Sequence, residues 1–435
     1  MRIAVIGGGI SGNLVARLLC DEHDVHLFES QSYLGGHSHT HDIEVLGGRY
    51  TVDTGFMVFN HRTYPNFTRL LELLEIPTRA SDMSFGVRCE RTELEYQGSD
   101  LNGLFAQRRN LLRVRMYRML VDILRFNRLA TRAVLSGELE EGQTVGQFLD
   151  RARLGEAFRE DYLLPCTGAI WSMRPDRMLD FPAKFLLGFC HNHGLLQIGD
   201  RPIWRTIVGG SRRYVAALTE PLRKQIRLNC PIRRVVRRPD RVEVETGSGE
   251  RESFDQVVFA THADQTLAML AEPTAEERRV LGAFPYQEND AVLHTDIRLL
   301  PRRRRAWASW NYHKPRDASQ AVTVTYNLSR LQGHATPTPI LLTLNQADQV
   351  DPSRVISRFP YTHPAYTLDS IAAQRCQQQL NGNRRSYFCG AYWGYGFHED
   401  GVNSALAVAR CFGKSLDTWR AASTRDALST VATIR

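Results

Sequence analysis

The sequence predicts an α/β fold in which a Rossmann-type nucleotide-binding domain is interleaved with an α+β domain containing a mixed sheet and a helical segment. Residues 2–7 form a short apolar run that ends in glycines, and a helical pattern and a second strand follow it. Strand-like segments return at residues 226–260 and at 387–389. Between these returns lie an arginine-rich helical region and a set of alternating strands, which indicate a second domain.

The glycine motif GGGISG follows the first strand and precedes a helix, as a dinucleotide-binding turn requires. In such a turn Gly7 permits the tight bend, Gly9 lets a pyrophosphate approach the backbone, and Gly12 lets the helix pack on the sheet. The motif therefore predicts a dinucleotide site.

Two further features belong to this βαβ unit. Ile10 and Ser11 open the helix, whose free amides would face the phosphates. Glu29 ends the second strand 22 positions after Gly7, where a carboxylate accepts hydrogen bonds from ribose hydroxyls. A carboxylate at this position argues against a 2′-phosphorylated cofactor, because the two charges would repel.

Composition excludes several classes of protein. The chain has 435 residues, 43% hydrophobic and 23% charged, which is typical of a folded protein of two or three domains. It contains no apolar run of about 18 residues or more, so we expect a cytoplasmic protein that does not span a membrane. Its eight cysteines are scattered without C-x-x-C spacing, which predicts reduced thiols and no metal site.

The formal net charge of +8 is concentrated in two arginine clusters, at residues 108–125 and 302–305. Anionic lipid headgroups, nucleic acid and simple solvation are the three interpretations. In the first cluster the arginines alternate with leucines, valines and methionines, which favours an anionic membrane surface over nucleic acid. A peripheral location at the inner face of the membrane is the corresponding expectation.

Several segments resemble the flavin amine oxidase and phytoene desaturase superfamily. They are residues 34–40 (LGGHSHT), 53–57 (DTGFM), 255–263 (DQVVFATHA), 387–391 (YFCGA) and 400–405 (DGVNSA). The resemblance implies FAD as the cofactor and a flavin-dependent oxidoreductase as the activity. No cysteine stands where covalently flavinylated members attach FAD, so non-covalent binding is implied.

The same resemblance implies roles for individual residues. Gly36 and His37 would lie along the FAD pyrophosphate, with Thr40 beside them, although the family usually has Arg or Lys where this chain has His37. The further cofactor contacts that it implies are Gly55, Phe56 and Met57 at the reactive face, Val235 at the adenine, Gly390 at the phosphates, and Gly401, Val402 and Asn403 at the flavin pyrimidine edge. For Val235, an ordinary core position is the alternative.

Within the superfamily the chain resembles a bacterial group of FAD-dependent proteins found beside cyclopropane-fatty-acid-synthase-like methyltransferases. Segments at 169–172, 192–196, 201–215, 308–312 and 325–332 carry this narrower likeness. It implies a modified-fatty-acid pathway with a methyltransferase partner.

These assignments predict a division of the chain. Its parts are FAD-binding segments at 1–63, 201–270 and 371–420, a helical substrate region at 64–200, a substrate-domain sheet at 271–370 and a C-terminal tail at 421–435.

The sequence offers few candidate catalytic residues. His191 and His193 flank Asn192 in a loop-like setting, where either imidazole could act as a base or simply form structural hydrogen bonds. Tyr392, Trp393 and Tyr395 fall inside the C-terminal cofactor motif and are expected near the flavin. The tryptophans at 171, 204 and 310 and Tyr312 could line an apolar tunnel or belong to the core.

Three functions remain open from the sequence. The first is a desaturase or oxidase of a hydrophobic acyl chain, in a fatty acid or a phospholipid, that transfers hydride to flavin N5. The second is an oxidase of a small amine, which predicts an aromatic cage and a lysine-held water. The third is a flavin-binding partner subunit without turnover of its own.

Overall fold

The computed structural model describes residues 1–45, 47–171, 175–197, 199–316 and 323–419. The strands are β1 (Arg2–Ile6), β2 (Asp24–Phe28), β3 (Thr40–Val45), β4 (Gly48–Asp53), β5 (Phe59–Asn60), β6 (Thr78–Ala80), β7 (Phe85–Cys89), β8 (Leu94–Gln97), β9 (Trp204–Ile207), β10 (Ile226–Arg227), β11 (Ile232–Arg237), β12 (Val242–Thr246), β13 (Arg251–Phe254), β14 (Gln256–Phe259), β15 (Tyr286–His294), β16 (Trp310–Lys314), β17 (Thr323–Asn327), β18 (Leu341–Leu344), β19 (Val355–Pro364) and β20 (Ser386–Phe388). The α-helices are α1 (Ile10–Leu19), α2 (Pro65–Leu73), α3 (Leu101–Leu104), α4 (Val114–Ser136), α5 (Val145–Arg151), α6 (Glu156–Phe158), α7 (Leu164–Trp171), α8 (Pro175–Leu179), α9 (Ala183–Asn192), α10 (Arg212–Thr219), α11 (Ala263–Met269), α12 (Ala275–Leu281), α13 (Leu328–Leu331), α14 (Leu368–Gln374), α15 (Gln377–Leu380) and α16 (His398–Arg410).

A parallel sheet forms the nucleotide-binding part. Within the described residues it has five strands in the order β10-β2-β1-β14-β20, drawn from three distant parts of the chain. The central strand β1 is apolar and buried except at its first residue, as a parallel strand covered on both faces must be. The predicted Rossmann-type domain, interleaved with a second domain, is confirmed.

One predicted strand divides into two. The sequence predicts a continuous strand over residues 226–236, but β10 joins the parallel sheet while β11 pairs with β12 in a separate antiparallel sheet. Between them Asn229 has a positive φ of 51° and Pro231 follows, so the chain leaves the first sheet there. This turn is what carries the chain away from β2.

The second domain contains the predicted mixed sheet. Among the described residues it runs β19-β15-β18-β17-β16-β7-β8, antiparallel except where β16 pairs with β7. Helices α4 to α9 form the helical segment beside it, and their buried aromatic side chains make a core of their own. The α+β character of this domain is confirmed.

The proposed domain boundaries remain predictions. Strand β9 lies in the range predicted as FAD-binding, yet it pairs with β5 and β6. The predicted tail at 421–435, and Ser172 of the segment 169–172, lie outside the described residues.

No helix in the described part of the chain combines the length and apolar character needed to cross a bilayer.

Helix α1 approaches its surroundings unusually closely at Gly12. A Cβ there would overlap the carbonyl oxygen of Gly7 and lie 3.1 Å from the Cβ of Ala260. One residue earlier, the Ser11 hydroxyl donates to the carbonyl of Gly401 in α16 at 2.8 Å. These contacts hold α1, α16 and the end of β14 together at one edge of the parallel sheet.

Replacing Gly12 with alanine should therefore destabilise the protein by about 1–3 kcal/mol, because backbone must move to admit the methyl group. Chemical denaturation of the two proteins measures the difference. Gly142→Ala is the matched control, since a Cβ at Gly142 meets nothing within 4 Å. Equal unfolding free energies for Gly12→Ala and the control would contradict the close packing.

Candidate active site

A large cavity of about 890 Å³ lies at the carboxyl edge of the parallel sheet. Its wall includes the loops that follow β1, β2, β14 and β20, where an open α/β sheet binds its ligands. The opposite wall comes from β17, β18 and β19 of the mixed sheet and from α7 and α9 of the helical segment. The cavity therefore joins the two domains.

Glu29 organises the glycine loop at one end of this cavity. Its carboxylate accepts the backbone N–H of Gly8 at 2.7 Å and that of Gln31 at 2.8 Å. The loops after β1 and β2 are also joined by the N–H of Gly35, which donates to the carbonyl of Gly8 at 2.7 Å. Glu29 lines the cavity at the position where a ribose contact is predicted.

The residues at this end fit a dinucleotide cofactor such as FAD. A Cβ at Gly9 would meet nothing within 4 Å, so the glycine leaves open space where a pyrophosphate would lie. Gly9 also caps α1 without a side-chain hydrogen bond, which leaves the amides of Ile10 and Ser11 to an anion. Gly7, Gly9, Ile10 and Ser11 all line the cavity, whereas Gly12 lies behind them in the packed helix.

Gly36 and His37 also line the cavity, next to the glycine loop. The ring of His37 lies 5.1 Å from that of His363 and 5.2 Å from that of Tyr361. Burial and the neighbouring histidines hold the pKa of His37 well below its usual range. His37 is therefore neutral and offers no charge to a phosphate. Thr40 lies away from the wall, where its hydroxyl contacts Asp53 and Ser211.

The segment 55–57 lies on the wall as the resemblance implies. Gly55 is required there because a Cβ would overlap the carbonyl oxygen of His37. The ring of Phe56 stacks on that of His398, with centroids 3.6 Å apart. His398 in turn hydrogen-bonds the Tyr214 hydroxyl at 2.7 Å through Nε2.

The N-terminus of α16 faces the cavity, but at different residues from those predicted. Gly396, Phe397 and His398 line it, whereas Gly401 and Val402 are buried against α1 and the core. Asn403 is on the exposed side, where its carbonyl oxygen accepts from Asn66 at 2.8 Å. The helix begins at His398, where the Asp400 carboxylate caps it by accepting the N–H of Phe397 at 2.9 Å.

Val235 occupies the core rather than the wall. Its side chain is fully buried in the core that contains Ala4 and Phe259 of the parallel sheet. Its backbone carbonyl accepts the N–H of Ala271 at 3.0 Å. Ile232 and Arg233 of the same strand line the cavity instead. The register of β11 shifts between Ile232 and Arg234. Simple alternation of side chains along β11 therefore does not give the residues that face the cavity.

The candidate catalytic residues separate into two groups. His193, Tyr392 and Tyr395 line the cavity, as do Gly390 and the three predicted tunnel tryptophans at 171, 204 and 310. His191 lies in the last turn of α9 and is not part of the wall, and Trp393 packs against Phe284 in the core, with ring centroids 5.5 Å apart. Tyr312 is likewise a core residue.

His193 is a buried and neutral imidazole. Its ring stacks on Phe189 with centroids 3.9 Å apart, and its Nδ1 lies 3.1 Å from the Phe189 carbonyl. Burial lowers the pKa of His193 from 6.5 to about 4. At neutral pH it can accept a proton, but only as a weak base.

Some wall residues were not predicted from the sequence. Thr261 and His262 lie just beyond the end of β14, and the rule that ligands bind beyond the carboxyl ends of parallel strands could have identified them. Tyr361 and His363 alternate along β19, and only the pairing of that strand brings them to the cavity.

Comparisons with known proteins agree with this geometry. The model of the family "Flavin containing amine oxidoreductase" matches residues 10–296. A fatty acid isomerase from P. acnes, described as CLA-producing, has a similar structure with a TM-score of 0.66 at 16% identity, covering 94% of this chain and 98% of that one. Putrescine oxidase bound to putrescine gives 0.67 at 14% identity, with 95% and 99% covered. Cyclohexylamine oxidase from Brevibacterium oxydans IH-35A gives 0.65 at 15%, also with 95% and 99% covered. No curated protein sequence matches the chain.

A side chain at Gly9, in the open space proposed for the pyrophosphate, should weaken FAD binding without unfolding the protein. In Gly9→Val the new side chain meets no protein atom near its Cβ but occupies the phosphate position, so FAD affinity should fall at least about tenfold. Fluorescence titration of the apoprotein with FAD measures it. Gly142→Val, also in open space, should bind FAD as the unchanged protein does. Unaltered affinity in Gly9→Val would place the phosphates elsewhere.

His193 should make the protein less stable in acid. Because its folded pKa is about 4 and its ordinary value is 6.5, the unfolded chain takes up the proton first as the pH falls. The unfolding free energy should therefore decline from pH 6.5 towards pH 4, by up to about 3 kcal/mol from this residue. His193→Phe should flatten that decline in urea titrations across this range, whereas His61→Phe, at an exposed histidine, should not. Parallel pH profiles for all three proteins would contradict the assignment.

Proposed function

The chain belongs to the family of flavin-containing amine oxidoreductases and is an FAD-dependent enzyme, and we propose that its substrate is a hydrophobic acyl chain rather than an amine. The acyl chain would be carried by a modified fatty acid or a phospholipid. Oxidation at a C–H bond of that chain, with formation of a double bond, is the reaction.

The observation that carries this proposal is the chemistry of the cavity wall beyond the dinucleotide end. Its described residues are predominantly apolar and aromatic, among them Met57, Ile170, Trp171, Phe189, Leu195, Trp204, Trp310, Leu342, Leu344 and Phe359. Among the described wall residues none is a lysine, and Glu29, at the dinucleotide end, is the one carboxylate. The wall thus offers burial to a long apolar group and no counter-charge to a cation.

This composition distinguishes the acyl-chain and amine hypotheses. A small amine is a cation at neutral pH, and removing it from water without a partner costs several kcal/mol. Three of the chain's four lysines pair with surface carboxylates: Lys184 with Glu141, Lys314 with Glu160 and Lys414 with Glu22. The fourth, Lys224, is exposed. The lysine-held water that an amine oxidase would use therefore has no candidate among the described residues.

FAD, when bound, supplies the acceptance of hydride from the substrate at N5. The wall formed by Tyr395, Phe397 and Phe189 would orient the acyl chain, since these rings pack together with centroids 5.2–5.4 Å apart. His193 stands beside Phe189 as the neutral group that could take the proton from the adjacent carbon.

The N-terminus of α16 contributes electrostatically. Its free amides favour negative charge in the cavity next to Phe397 and His398. Asp400, in the first turn, would oppose this if it were fully ionised, but burial raises its pKa to about 7. Burial thus favours the neutral form of this carboxyl, so that it cancels less of the dipole than a fully ionised carboxylate would.

Two likenesses support an acyl substrate. One solved structure of this fold is that of a fatty acid isomerase. Segments across the chain also resemble bacterial FAD-dependent proteins found beside cyclopropane-fatty-acid-synthase-like methyltransferases, which favours a methyltransferase as a partner in the same pathway. Methyl-branched and unsaturated acyl chains are therefore the substrates to test.

Phospholipids carrying methyl-branched or unsaturated chains should reduce the flavin when mixed anaerobically with the purified enzyme. The decrease of the flavin absorbance at about 450 nm reports the transfer, and mass spectrometry of the lipid should show the loss of two hydrogens. Putrescine and cyclohexylamine are the comparison substrates. Reduction by the amines alone would overturn the proposal.

A charge placed on the wall sharpens this test. Leu195→Asp should lower the rate of flavin reduction by the acyl substrate at least about tenfold, because the carboxylate remains hydrated beside the chain. Leu195→Asn, of the same size but uncharged, should have a smaller effect, and both variants should retain FAD. Equal rates in all three proteins would remove Leu195 from the substrate site.

A further inference from the structure

Helix α4 and the turn before it expose an unusually apolar surface. We call this surface the docking face, and it consists of Leu111, Leu112, Val114, Tyr117, Val121 and Leu124. Leu112 is 89% exposed, and Val114, Val121 and Leu124 are each more than half exposed. Six exposed apolar side chains grouped within one short stretch of the chain indicate an interaction site.

The spacing of these residues places them on one side of the helix. Positions 114, 117, 121 and 124 recur every three or four residues, which is the repeat of a single helical face. The opposite face carries Met116, Met119 and Phe126, all nearly fully buried in the cores of the second domain. The helix is therefore fixed to the protein by one apolar face while it presents another to the outside.

Arginines surround the docking face. Residues 101–136 contain eight arginines and a single acidic residue, Asp122. That carboxylate is already occupied by Arg125 at 2.6 Å and by the backbone N–H of Gly155 at 2.9 Å. Arg118, Arg128 and Arg132 are exposed on the same side and form no ion pair among the described residues.

The second arginine cluster adjoins the first. The backbone N–H groups of Arg302 and Arg303 each donate to the Glu95 carboxylate at 3.0 Å. The backbone N–H of Glu95 in turn donates to Gln107, just before the docking face, at 3.1 Å. Glu95 therefore connects two arginine-bearing segments that are some 200 positions apart, through its carboxylate to residues 302–303 and through its backbone N–H to Gln107.

We propose that the docking face binds the surface of an anionic bilayer, with its apolar side chains inserted between headgroups that the arginines contact. Long arginine side chains can reach headgroup phosphates while neighbouring leucines enter the acyl boundary. A second copy of the chain would bring like charges together, so self-association through this face is disfavoured. Nucleic acid would pair with the arginines but leave Leu112, Val114 and Val121 without an apolar environment.

This inference goes beyond the proposed oxidation and does not depend on it. Vesicle binding is measured without turnover, so a protein that binds anionic vesicles but oxidises no acyl chain would refute only the proposed function. A protein that oxidises free fatty acid but does not bind anionic vesicles would refute only the membrane-binding role proposed for the docking face.

The test is flotation of the full-length, FAD-loaded protein with vesicles of phosphatidylcholine alone or of phosphatidylcholine mixed with phosphatidylglycerol. Binding should require phosphatidylglycerol and weaken as salt rises. Arg118→Gln/Arg128→Gln/Arg132→Gln should lower the partition coefficient at least about tenfold. Leu112→Ser/Val121→Ser should lower it by a similar factor, because less apolar surface is buried.

Matched variants separate docking from net charge. Arg223→Gln/Lys224→Gln/Arg278→Gln removes the same charge from exposed positions around the parallel sheet and should bind vesicles as the unchanged protein does. Unaltered flavin content and melting temperature verify that each variant is folded. Equal losses in both charge variants, equal binding to uncharged vesicles, or no binding at all would each overturn the proposal. Retention by an acidic protein but not by vesicles would assign the face to that other partner.

Discussion

The carboxylate of Glu29 connects the two loops on which the cofactor end of the cavity is built. Because it accepts the N–H of Gly8 with one oxygen and that of Gln31 with the other, it fixes the loop after β1 relative to the loop after β2. Gly9 keeps its open side towards the cavity only while that loop is held. The close approach of α1 to Gly7 and the bond from Ser11 to Gly401 then bring α16, from the other end of the chain, to the same edge. The loop after β1, the loop after β2 and helix α16 are thus held at the same edge of the sheet by a few hydrogen bonds and close backbone contacts.

Burial makes the histidines on the cavity wall neutral. It lowers the pKa of His363 and His39 to about 4, with nearby histidines adding to the effect, and lowers the pKa of His398 to about 3. A charged wall would retain water, whereas a neutral wall of imidazole and aromatic rings releases it easily when an apolar chain enters. The N-terminus of α16 points its positive end into this cavity, where a low dielectric strengthens its influence, and the Asp400 carboxyl in its first turn offsets only part of that charge.

Local signals were sufficient for the parts of the site that depend on local geometry. Gly7, Gly9 and Glu29 line the wall because each is specified by a turn within a few residues of itself. Gly55 also lines the wall, but the contact that requires a glycine there is the carbonyl of His37, in a different segment. Where strand register or a helix start decides which residues line the cavity, the local sequence does not specify them. Val235 faces the core because β11 is irregular at its start, and Val402 and Asn403 face away because a carboxyl cap starts α16 at His398. Tyr361 and His363 carried no local signal, since only the pairing of β19 with β15 brings them to the cavity.

The docking face and the substrate wall are parts of one continuous structure. Arg115 of α4 donates to the Asp161 carboxylate at 2.7 Å, and Asp161 is almost fully buried. Residues 156–171 form an unbroken helical run, so Asp161 lies on the same run as Ile170 and Trp171 of the cavity wall. Burial raises the pKa of Asp161 because it removes the carboxylate from water. The ion pair with Arg115 therefore has to stabilise the charged carboxylate in place of hydration. Arg115, in the basic segment, therefore stabilises the helical run that shapes the substrate end of the cavity. The exposed arginines next to it remain free to contact the proposed membrane surface.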